Sequence, residues 1–467
     1  MNTRTKYLPV ILFCLSLLSA RSFAQVRQFS KLKVSSNHRF LMKENGDPFF
    51  WLGDTGWLLF EKLKREEAEK YLENRRQKGF NVIQVMLLHG LAIANAYGDS
   101  ALINKNVAAP KTTPGNSFLK KKEYDYWDHV DYIIDLAAKK GIYMALVPVW
   151  GTNVKSGAVK KADAATYAKW LAERYKKKPN IIWLNGGDIK GTDSMNTWKI
   201  IGNTIRRTDP DHLISFHPFG RTTSSQWFHN EPWLDFNMFQ SGHRSYDLDT
   251  SKNEHRFGPD NYKFVLIDYY KKPVKPTLDG EPSYEEIPYG LHDTTKPRWN
   301  DNDVRRYGYW EVFAGGAGYT YGNNAVMQMH KPGDTEIAYG TRFYWYDAID
   351  HPGAKQMIYL KKLMLSKPYF ERMADQSLIA GENGNKYEYI AATRGKDYAF
   401  IYDYTGKPFE VRMGKISGGS VKASWYSPKN GSKKGIGTFV NKGFRKFDPP
   451  GEQKDGNDWV LILESVK

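Results

Sequence analysis

The chain has almost no cysteine. Its 467 residues include one, Cys14, which lies in an apolar stretch near the N-terminus. If that stretch is removed, the remaining chain has no disulfide, no thiol nucleophile and no cysteine-ligated metal site. The sequence also has no HExxH motif and no His-x-His pair, so neither a catalytic metal nor another cofactor is expected.

Long hydrophobic runs are nearly absent as well. The single run covers about residues 8–18, follows Arg4 and Lys6, and precedes Ser22-Phe23-Ala24. This arrangement predicts a secretory signal over residues 1–24, cleaved after Ala24. The run is short for a bilayer span, so no membrane span is expected. The protein is therefore expected to be periplasmic or secreted.

A glycine-rich phosphate loop is missing too. Residues 53–57, Gly-Asp-Thr-Gly-Trp, follow the first predicted strand and are too acidic and bulky to cradle a phosphate. This disfavours a doubly wound nucleotide-binding fold. No nucleic-acid recognition motif is present either, so nucleic acid is not an expected partner.

Positive charge and aromatic side chains are abundant. The formal net charge is +17, and subtracting Arg4, Lys6 and Arg21 of the signal leaves +14. This excess of positive charge would suit binding to an acidic polymer such as pectin. The alternative is that the lysine runs are ordinary solvated ends of helices. Aromatics make up 15% of the chain, with 14 Trp and 30 Tyr. They fit either stacking on sugar rings or a large aromatic core.

Eight near-continuous apolar segments have the length and composition of strands buried on both faces. They cover residues 48–53, 80–88, 142–150, 180–187, 213–218, 235–240, 275–281 and 317–322. Helical patterns separate most of them, at 65–78, 124–140, 163–177, 194–207, 259–271, 301–314 and 353–366. The alternation predicts an α/β fold, a (β/α)₈ TIM barrel over residues 25–370. Residues 30–47 are expected to be β-structure that caps the barrel.

From about residue 372 the pattern changes. Short β-like segments separated by Gly, Lys and Asn predict a C-terminal antiparallel β-sandwich over residues 371–467.

Polar or aromatic residues end each of the eight predicted strands. In a barrel the active site lies at these C-terminal ends. The expected substrate-binding residues are Asp54, His89, Trp150, Asn185, His217, Gln240, His243, Tyr321 and Asn324.

Two of these strand ends carry acids that are candidates for glycosidic bond cleavage. Asp188 ends the fourth strand and Glu281 the seventh, so they should face each other across the barrel mouth. One carboxyl group would protonate the leaving oxygen, and the other would attack the anomeric carbon or activate water. A cap of the next helix remains an alternative for Asp188, and bonding to loop amides remains one for Glu281. Asp279 is expected to be a structural acid inside the barrel.

Three stretches together resemble the apiosidase-like glycoside hydrolases. They are residues 49–88, from "FFWLGDTGW" to "NVIQVMLL", then "WLNGGDIKG" and "LDGEPSYE". The C-terminal part resembles the β-sandwich that usually follows this catalytic domain and carries a collagen-binding label. The resemblance implies a (β/α)₈ barrel and exo-acting removal of apiose from rhamnogalacturonan II, a pectin of plant cell walls. By its motifs, Asp188 would be the general acid/base and Glu281 the nucleophile of a retaining mechanism.

Two other functions stay open at this point. One is a glycosidase of different specificity, such as an endo-β-glycanase, and the other is a non-catalytic carbohydrate-binding protein on a barrel scaffold. An exo-enzyme needs a closed pocket, for which the insertions at 89–123 and 325–352 are candidate walls. The sequence does not indicate an oligomeric state.

Overall fold

The computed structural model describes residues 29–466. The predicted signal, residues 1–24, lies outside the described residues. The described part opens with a three-stranded antiparallel sheet made of β1 (Leu32–Val34), β2 (Leu41–Lys43) and β3 (Pro48–Phe49). The Tyr143 hydroxyl donates to the Ser30 carbonyl at 2.5 Å, and Phe49 packs edge-on against the same ring. This small sheet therefore lies at the N-terminal end of a central strand, as the cap prediction expected.

All eight predicted central strands are present. Together with the short β9 (Thr222–Thr223), they are β4 (Trp51–Thr55), β5 (Val82–Met86), β6 (Tyr143–Val147), β7 (Ile181–Ile189), β8 (Ile214–Pro218), β10 (Asn237–Gln240), β11 (Thr277–Asp279) and β12 (Gly318–Tyr321).

These strands form two hydrogen-bonded groups. Six pair in parallel in the order β12-β4-β5-β6-β7-β8, and β10 pairs in parallel with β11, with β9 antiparallel beside it. Isolated backbone bonds join the groups: Asp235 N–H donates to Ile214 O at 2.9 Å, and Ala317 N–H donates to Thr277 O at 2.8 Å. The fold is thus a parallel half-barrel sheet plus a second group, without a continuous ladder around all eight strands. The side chain of Asp235 accounts for part of the break in the hydrogen-bond ladder between β8 and β10. Its carboxylate accepts the Ile214 N–H at 2.7 Å, so that N–H is not available to a backbone carbonyl of the next strand.

Helices cover the outside of the sheet. They are α1 (Leu59–Lys62), α2 (Arg65–Gln77), α3 (Tyr126–Lys139), α4 (Gly151–Lys155), α5 (Lys161–Tyr175), α6 (Met195–Thr208), α7 (Ser225–Phe228), α8 (Tyr262–Tyr269), α9 (Asp301–Phe313), α10 (Asn324–Met327), α11 (Trp345–Ala348) and α12 (Pro352–Leu365). Gly79 and Gly141 follow α2 and α3 with φ of 81° and 75°, a conformation that stops a helix at little cost for glycine. None of the helices in 29–466 is long and apolar enough to cross a membrane.

The strands are buried on both faces. In β6, Ala145 and Val147 belong to the inner core, while Met144 and Leu146 pack in the layer shared with the helices. This double burial explains the near-continuous apolar runs of the sequence.

The C-terminal part is an antiparallel sheet domain. Its six-stranded sheet contains β13 (Met373–Ala374), β14 (Ala391–Arg394), β15 (Tyr398–Asp403), β17 (Ser420–Tyr426), β18 (Lys433–Val440) and β20 (Trp459–Val466), and a two-stranded sheet contains β16 (Phe409–Arg412) and β19 (Phe444–Phe447). Val411 and Phe447 of the small sheet share a core with Ile401 and Leu461 of the large one.

The two parts are joined through α9. Arg305 forms a fully buried ion pair with Asp458 at 2.8 Å, and the Tyr309 ring stacks on Tyr402 with centroids 4.7 Å apart. The C-terminal domain is thereby fixed to the helical layer of the N-terminal part.

Candidate active site

A cavity of about 500 Å³ opens at the C-terminal ends of the central strands. Both predicted acids line it, as do three of the predicted binding residues, His89, Trp150 and His243. The other lining residues are Trp57, Leu58, Glu61, Lys62, Met86, Tyr284, Ile287, Met327, Gln328, Glu336, Ile337, Ala338 and Tyr339.

A distortion of β7 turns Asp188 toward this cavity. Gly186, Gly187 and Asp188 all have positive φ, of 93°, 106° and 49°, and the pairing of β7 with β8 shifts register between Gly186 and Ile189. A Cβ on Gly186 would lie 2.6 Å from the His217 carbonyl oxygen, so only glycine fits there. Because α6 begins only at Met195, Asp188 caps no helix.

The Asp188 carboxyl group favours its protonated form. Burial raises its pKa to about 7, and the nearby Glu281 carboxylate contributes in the same direction. The Gly220 N–H and the Gln240 amide donate to the carboxylate and oppose that rise in pKa. A carboxylic acid that holds its proton near neutral pH is suited to donate it to a leaving group.

Glu281 follows β11 and is held by its backbone. Its N–H donates to Asp279 Oδ1 at 3.2 Å, and its carbonyl accepts the Gly242 N–H at 3.1 Å. Burial raises the pKa of the Glu281 carboxyl to about 8, while a hydrogen bond from the Tyr284 hydroxyl opposes the rise.

Two imidazoles face the Glu281 carboxylate. His243 Nε2 lies 3.1 Å from Oε1, and His217 Nε2 lies 3.4 Å from Oε2. Burial lowers the pKa of both histidines to about 3, so both rings are neutral at neutral pH.

Backbone amides determine which nitrogen of each ring carries the proton. The N–H of Asp188 donates to Nδ1 of His217 at 3.2 Å, and the N–H of Tyr284 donates to Nδ1 of His243 at 3.3 Å. In a neutral imidazole an accepting Nδ1 leaves the proton on Nε2. His243 therefore donates its Nε2–H to Glu281. The Nε2–H of His217 faces the same carboxylate at 3.4 Å without forming a hydrogen bond, and both groups favour the carboxylate form of Glu281.

Aromatic rings form one side of the cavity. The Trp57 and Trp150 rings lie 5.6 Å apart, and Trp57 meets the His217 ring edge-on at 5.3 Å. The Trp57 indole donates to the Tyr284 hydroxyl at 3.2 Å. Sequence reasoning did not select Trp57 or Tyr284 as site residues. Most tryptophans here are core residues, and only the position of Trp57 just after the first strand could have distinguished it.

Two predicted binding residues point away from the cavity. The Asp54 carboxylate is fully buried and bonds to the Arg75 guanidinium and the Tyr71 hydroxyl, each at 2.6 Å. The Asn185 amide donates to the Trp198 carbonyl at 2.8 Å. The structure thus places Asp54 and Asn185 in the layer between strands and helices.

Tyr321 and Asn324 also lie behind the cavity. The Tyr321 hydroxyl donates to Glu285 at 2.5 Å. The Asn324 amide donates to the Tyr339 carbonyl at 3.1 Å and so holds a residue that does line the cavity. Gln240 is 5% exposed and reaches the cavity only through its bond to Asp188.

Asp279 supports the site from below, as the sequence predicted for a structural acid. Its carboxylate accepts the Ser241 hydroxyl at 2.5 Å and the Glu281 N–H at 3.2 Å. Its own N–H donates to Glu311 at 2.8 Å. Glu311 is fully buried and does not line the cavity.

One of the two predicted walls is present. Met327, Gln328 and residues 336–339, from the insertion after β12, line the cavity. The insertion at 89–123 contributes only His89. Its remainder folds onto the helices, where the Trp127 indole donates to the Ala101 carbonyl at 2.9 Å. That wall prediction is therefore wrong for residues 90–123.

Comparisons with known proteins show which families the chain resembles. A family model described as "Apiosidase-like, catalytic domain" matches residues 35–371. A second model, described as "Putative collagen-binding domain of a collagenase", matches residues 373–464. A search of curated proteins finds no match.

Solved structures resemble the chain over nearly its whole length. One described as a glycoside hydrolase is 50% identical, with a TM-score of 0.87, and the match covers 94% of this chain and 97% of that one. A glycoside hydrolase family 5 protein from Bacteroides vulgatus is 46% identical, with a TM-score of 0.88 and coverage of 93% and 94%. An α-amylase from Geobacillus thermoleovorans, 9% identical with a TM-score of 0.52 and coverage of 90% and 99%, shares the fold alone.

Proposed function

This chain belongs to the apiosidase-like family, and from that premise we propose that it is a retaining, exo-acting glycoside hydrolase that removes apiose from rhamnogalacturonan II. The observation that carries the proposal is the pair Asp188 and Glu281, two largely buried carboxyl groups that line one cavity. Two such groups at one cavity are the minimal equipment for glycosidic bond cleavage.

The surroundings of the two acids assign their roles. Burial raises the pKa of Glu281 at least as far as that of Asp188. We assign the single shared proton to Asp188 because the Glu281 carboxylate accepts hydrogen bonds from His243 Nε2 and from the Tyr284 hydroxyl. Asp188 then protonates the glycosidic oxygen while the Glu281 carboxylate attacks the anomeric carbon and forms a glycosyl ester. In the second step Asp188 accepts a proton from water, and the water oxygen displaces Glu281.

The glycon would lie against the aromatic wall. Trp57 and Trp150 offer apolar faces for a sugar ring. Glu61, on α1 at the cavity edge, has a buried carboxylate oxygen, Oε2, without a hydrogen-bond partner in the described chain. A sugar hydroxyl could donate to that oxygen.

Exo action is supported by the wall at 327–339. This segment contributes six of the residues that line the cavity. A long polysaccharide could not pass through a cavity closed on that side, whereas a terminal sugar could enter. Truncation of a side chain on this wall, for example Tyr339→Gly, tests this point. If the wall enforces exo action, the variant should cleave internal bonds of longer oligosaccharides more often than wild type.

We also infer that the eight strands close into a (β/α)₈ barrel. The bonds from Asp235 to Ile214 and from Ala317 to Thr277 join the two strand groups at both seams. Closure would bring the ends of β7 and β11, and hence Asp188 and Glu281, to facing positions. The predicted signal at residues 1–24 would export the enzyme to its plant cell-wall substrate.

The test is sugar release from rhamnogalacturonan II oligosaccharides. We expect free apiose from wild type and a loss of roughly a thousandfold or more in Glu281→Gln and Asp188→Asn, as for removal of a catalytic group. Glu286→Gln is the matched control, because Glu286 pairs with Arg342 at the surface. Release of another sugar would leave the chemistry intact and reject apiose. Binding without release would support a carbohydrate-binding protein instead.

The stereochemical course is a separate measurement. Proton NMR of the first product should show the anomeric configuration of the substrate. An initial product of inverted configuration would reject Glu281 as a nucleophile and make it a base for water.

A further inference from the structure

A second groove lies between α12 and the C-terminal sheet. Its volume is about 490 Å³, a usual size for ligand pockets in proteins. Residues 359–367 line it from the side of α12, and residues 430–433, with side chains of β15, β17 and β20, line it from the side of the C-terminal domain. The groove shares no lining residue with the cavity of the proposed active site.

The surface of this groove is built by contacts between the two domains. The turn that joins β17 to β18 packs on the Tyr359 ring, since a Cβ on Gly431 would lie 2.6 Å from Tyr359 Cδ1. The Tyr426 hydroxyl donates to the Tyr359 carbonyl at 2.9 Å. Phe400, which also lines the groove, is 1% exposed. Aromatic rings held in this way suit the apolar face of a sugar ring.

The groove carries an excess of positive charge. Three lysines and one acid line it, which leaves 3 − 1 = +2. Glu464 accepts Lys367 Nζ on Oε1 at 2.5 Å and Lys433 Nζ on Oε2 at 2.6 Å, so the carboxylate fixes both ammonium groups. Lys362 forms no ion pair within residues 29–466 and lies 5.9 Å from the centroid of the Tyr359 ring. Because an ammonium group has three N–H donors, all three lysines retain donors for a ligand.

The strands next to the groove add to this charge. Residues 411–447 contain nine lysines and arginines and no acid. Lys433 belongs to this stretch, and its strand β18 is exposed over nearly its whole length. A surface with one sign of charge attracts ligands and polymers of the opposite sign. The groove is therefore the built part of a wider basic face.

We propose that this groove is a second carbohydrate site, which binds an acidic saccharide such as a short stretch of polygalacturonate. Its carboxylates bind the ammonium groups of Lys362, Lys367 and Lys433, and a sugar ring lies against Tyr359. The site holds the protein on an acidic polysaccharide and takes no part in bond cleavage. The inference does not depend on the two proposed catalytic acids, so it stands or fails separately from the proposed function.

Two double variants with the same change in net charge test the groove. Lys362→Gln/Lys433→Gln removes two of its three positive charges and leaves the third lysine paired. Lys434→Gln/Lys442→Gln is the matched control, since both residues are exposed and neither lines the groove. Lys434 is the next residue of β18 after Lys433, and successive side chains of a strand point to opposite faces.

Calorimetry with trigalacturonate measures the binding. In Lys362→Gln/Lys433→Gln we expect the Kd to rise roughly tenfold or more, as for the loss of hydrogen bonds to a charged group. In the control double variant it should change by less than about twofold, and added salt should weaken binding by wild type. The methyl ester of trigalacturonate has the same rings without the charges, and wild type should bind it roughly tenfold more weakly. Thermal unfolding shows whether each variant is folded, and Lys362→Glu, at an exposed lysine without an ion pair, is the substitute if the first is not.

Three results would overturn the inference. Equal loss of binding in both double variants would be a general effect of net charge. Displacement of trigalacturonate by an equal concentration of inorganic phosphate would show an anion site that does not recognise a sugar. A lower kcat/KM of Lys362→Gln/Lys433→Gln on a short rhamnogalacturonan II oligosaccharide would contradict a site that takes no part in cleavage. Absence of sugar release by wild type would reject the proposed function and leave the binding result unaffected.

Discussion

Nδ1 of His217 accepts a hydrogen bond from the backbone N–H of Asp188 at 3.2 Å. One bond therefore connects the proposed acid to the imidazole that faces the proposed nucleophile. It requires the bulged backbone of β7, because only this conformation presents the Asp188 N–H toward the end of β8. The glycine pair before Asp188 thus positions two groups at once.

His217→Phe should lower kcat by roughly tenfold or less, because it removes an N–H that faces the Glu281 carboxylate at 3.4 Å. This contact is weaker than a full hydrogen bond to a charged group, which contributes about 1.5–3 kcal/mol. The loss should be accompanied by a rise of the lower apparent pKa in the pH–rate profile, because the carboxylate is less stabilised. Steady-state kinetics between pH 4 and 9 checks both. The control is His38→Gln, an exposed histidine of the N-terminal sheet region. An unchanged pH profile would mean that His217 only supports packing.

The pH dependence of kcat/KM should be bell-shaped. Burial raises the pKa of Asp188 to about 7 and that of Glu281 to about 8. The two carboxyl groups share one proton, so activity should fall both when the pair gains a second proton and when it loses the last one. In Asp188→Asn the alkaline limb should disappear. A profile of wild type with no alkaline limb up to pH 9 would contradict Asp188 as the proton donor.

Stability should decrease as pH rises from about 4 to 8. The pKa of each acid is higher in the folded protein than in the unfolded chain, where Asp and Glu titrate near about 4. The folded state therefore binds the protons more tightly, and their contribution is complete below the unfolded pKa and lost as pH passes the folded pKa. Thermal unfolding should show a falling Tm over this range. The double variant Asp188→Asn/Glu281→Gln should reduce this slope, and an identical slope would contradict the burial argument.

Asp54→Asn should destabilise the protein by about 3–5 kcal/mol, the usual cost of leaving one member of a buried ion pair without its partner. Arg75 and Asp54 are both fully buried, 2.6 Å apart, and neither lines the cavity. The KM should change little. Urea unfolding and kinetics measure the two effects. Asp350→Asn serves as the control, since Asp350 is 56% exposed in its pair with Lys78 and the pair should contribute at most about 1 kcal/mol. A raised KM without destabilisation would restore Asp54 as a substrate ligand.

Asp458→Asn should destabilise the joint between the two parts of the molecule. Arg305 of α9 is buried against Asp458 of the C-terminal domain, and its loss should cost about 3–5 kcal/mol. We expect the single unfolding transition of wild type to separate into two in calorimetry. Lys407→Gln, at an exposed pair with Glu388, should leave the transition unchanged. A single, unshifted transition in Asp458→Asn would show that the joint depends on the aromatic contacts instead.

Many elements of the fold could be predicted from local sequence. Strands buried on both faces leave continuous apolar runs, which is why all eight central strands were found. In helices of two or more turns the apolar residues recur with the helical period, which the sequence shows. The glycines that end two of these helices, Gly79 and Gly141, can also be recognised in the sequence. The helices of four or five residues, such as α4 and α10, were missed because they are too short to show that period.

The candidate site was predicted in part. Strand ends indicate where a residue lies but not which way its side chain points. Asp54 and Glu281 both follow apolar runs, yet Asp54 turns toward Arg75 in the helical layer and Glu281 toward the cavity. Arg75, which forms the ion pair with Asp54, is 21 residues away in the chain. No local sequence pattern identifies it as the partner of Asp54.

The sequence by itself determined the alternation of strands and helices, the change to a β-rich C-terminal part, and the two acids at strand ends, because these follow from burial and chain direction. Only the tertiary structure decided that His217 and His243 face Glu281 and that Trp57 and residues 336–339 line the cavity. Each of these depends on contacts between residues distant in sequence, whose side-chain directions are fixed by packing.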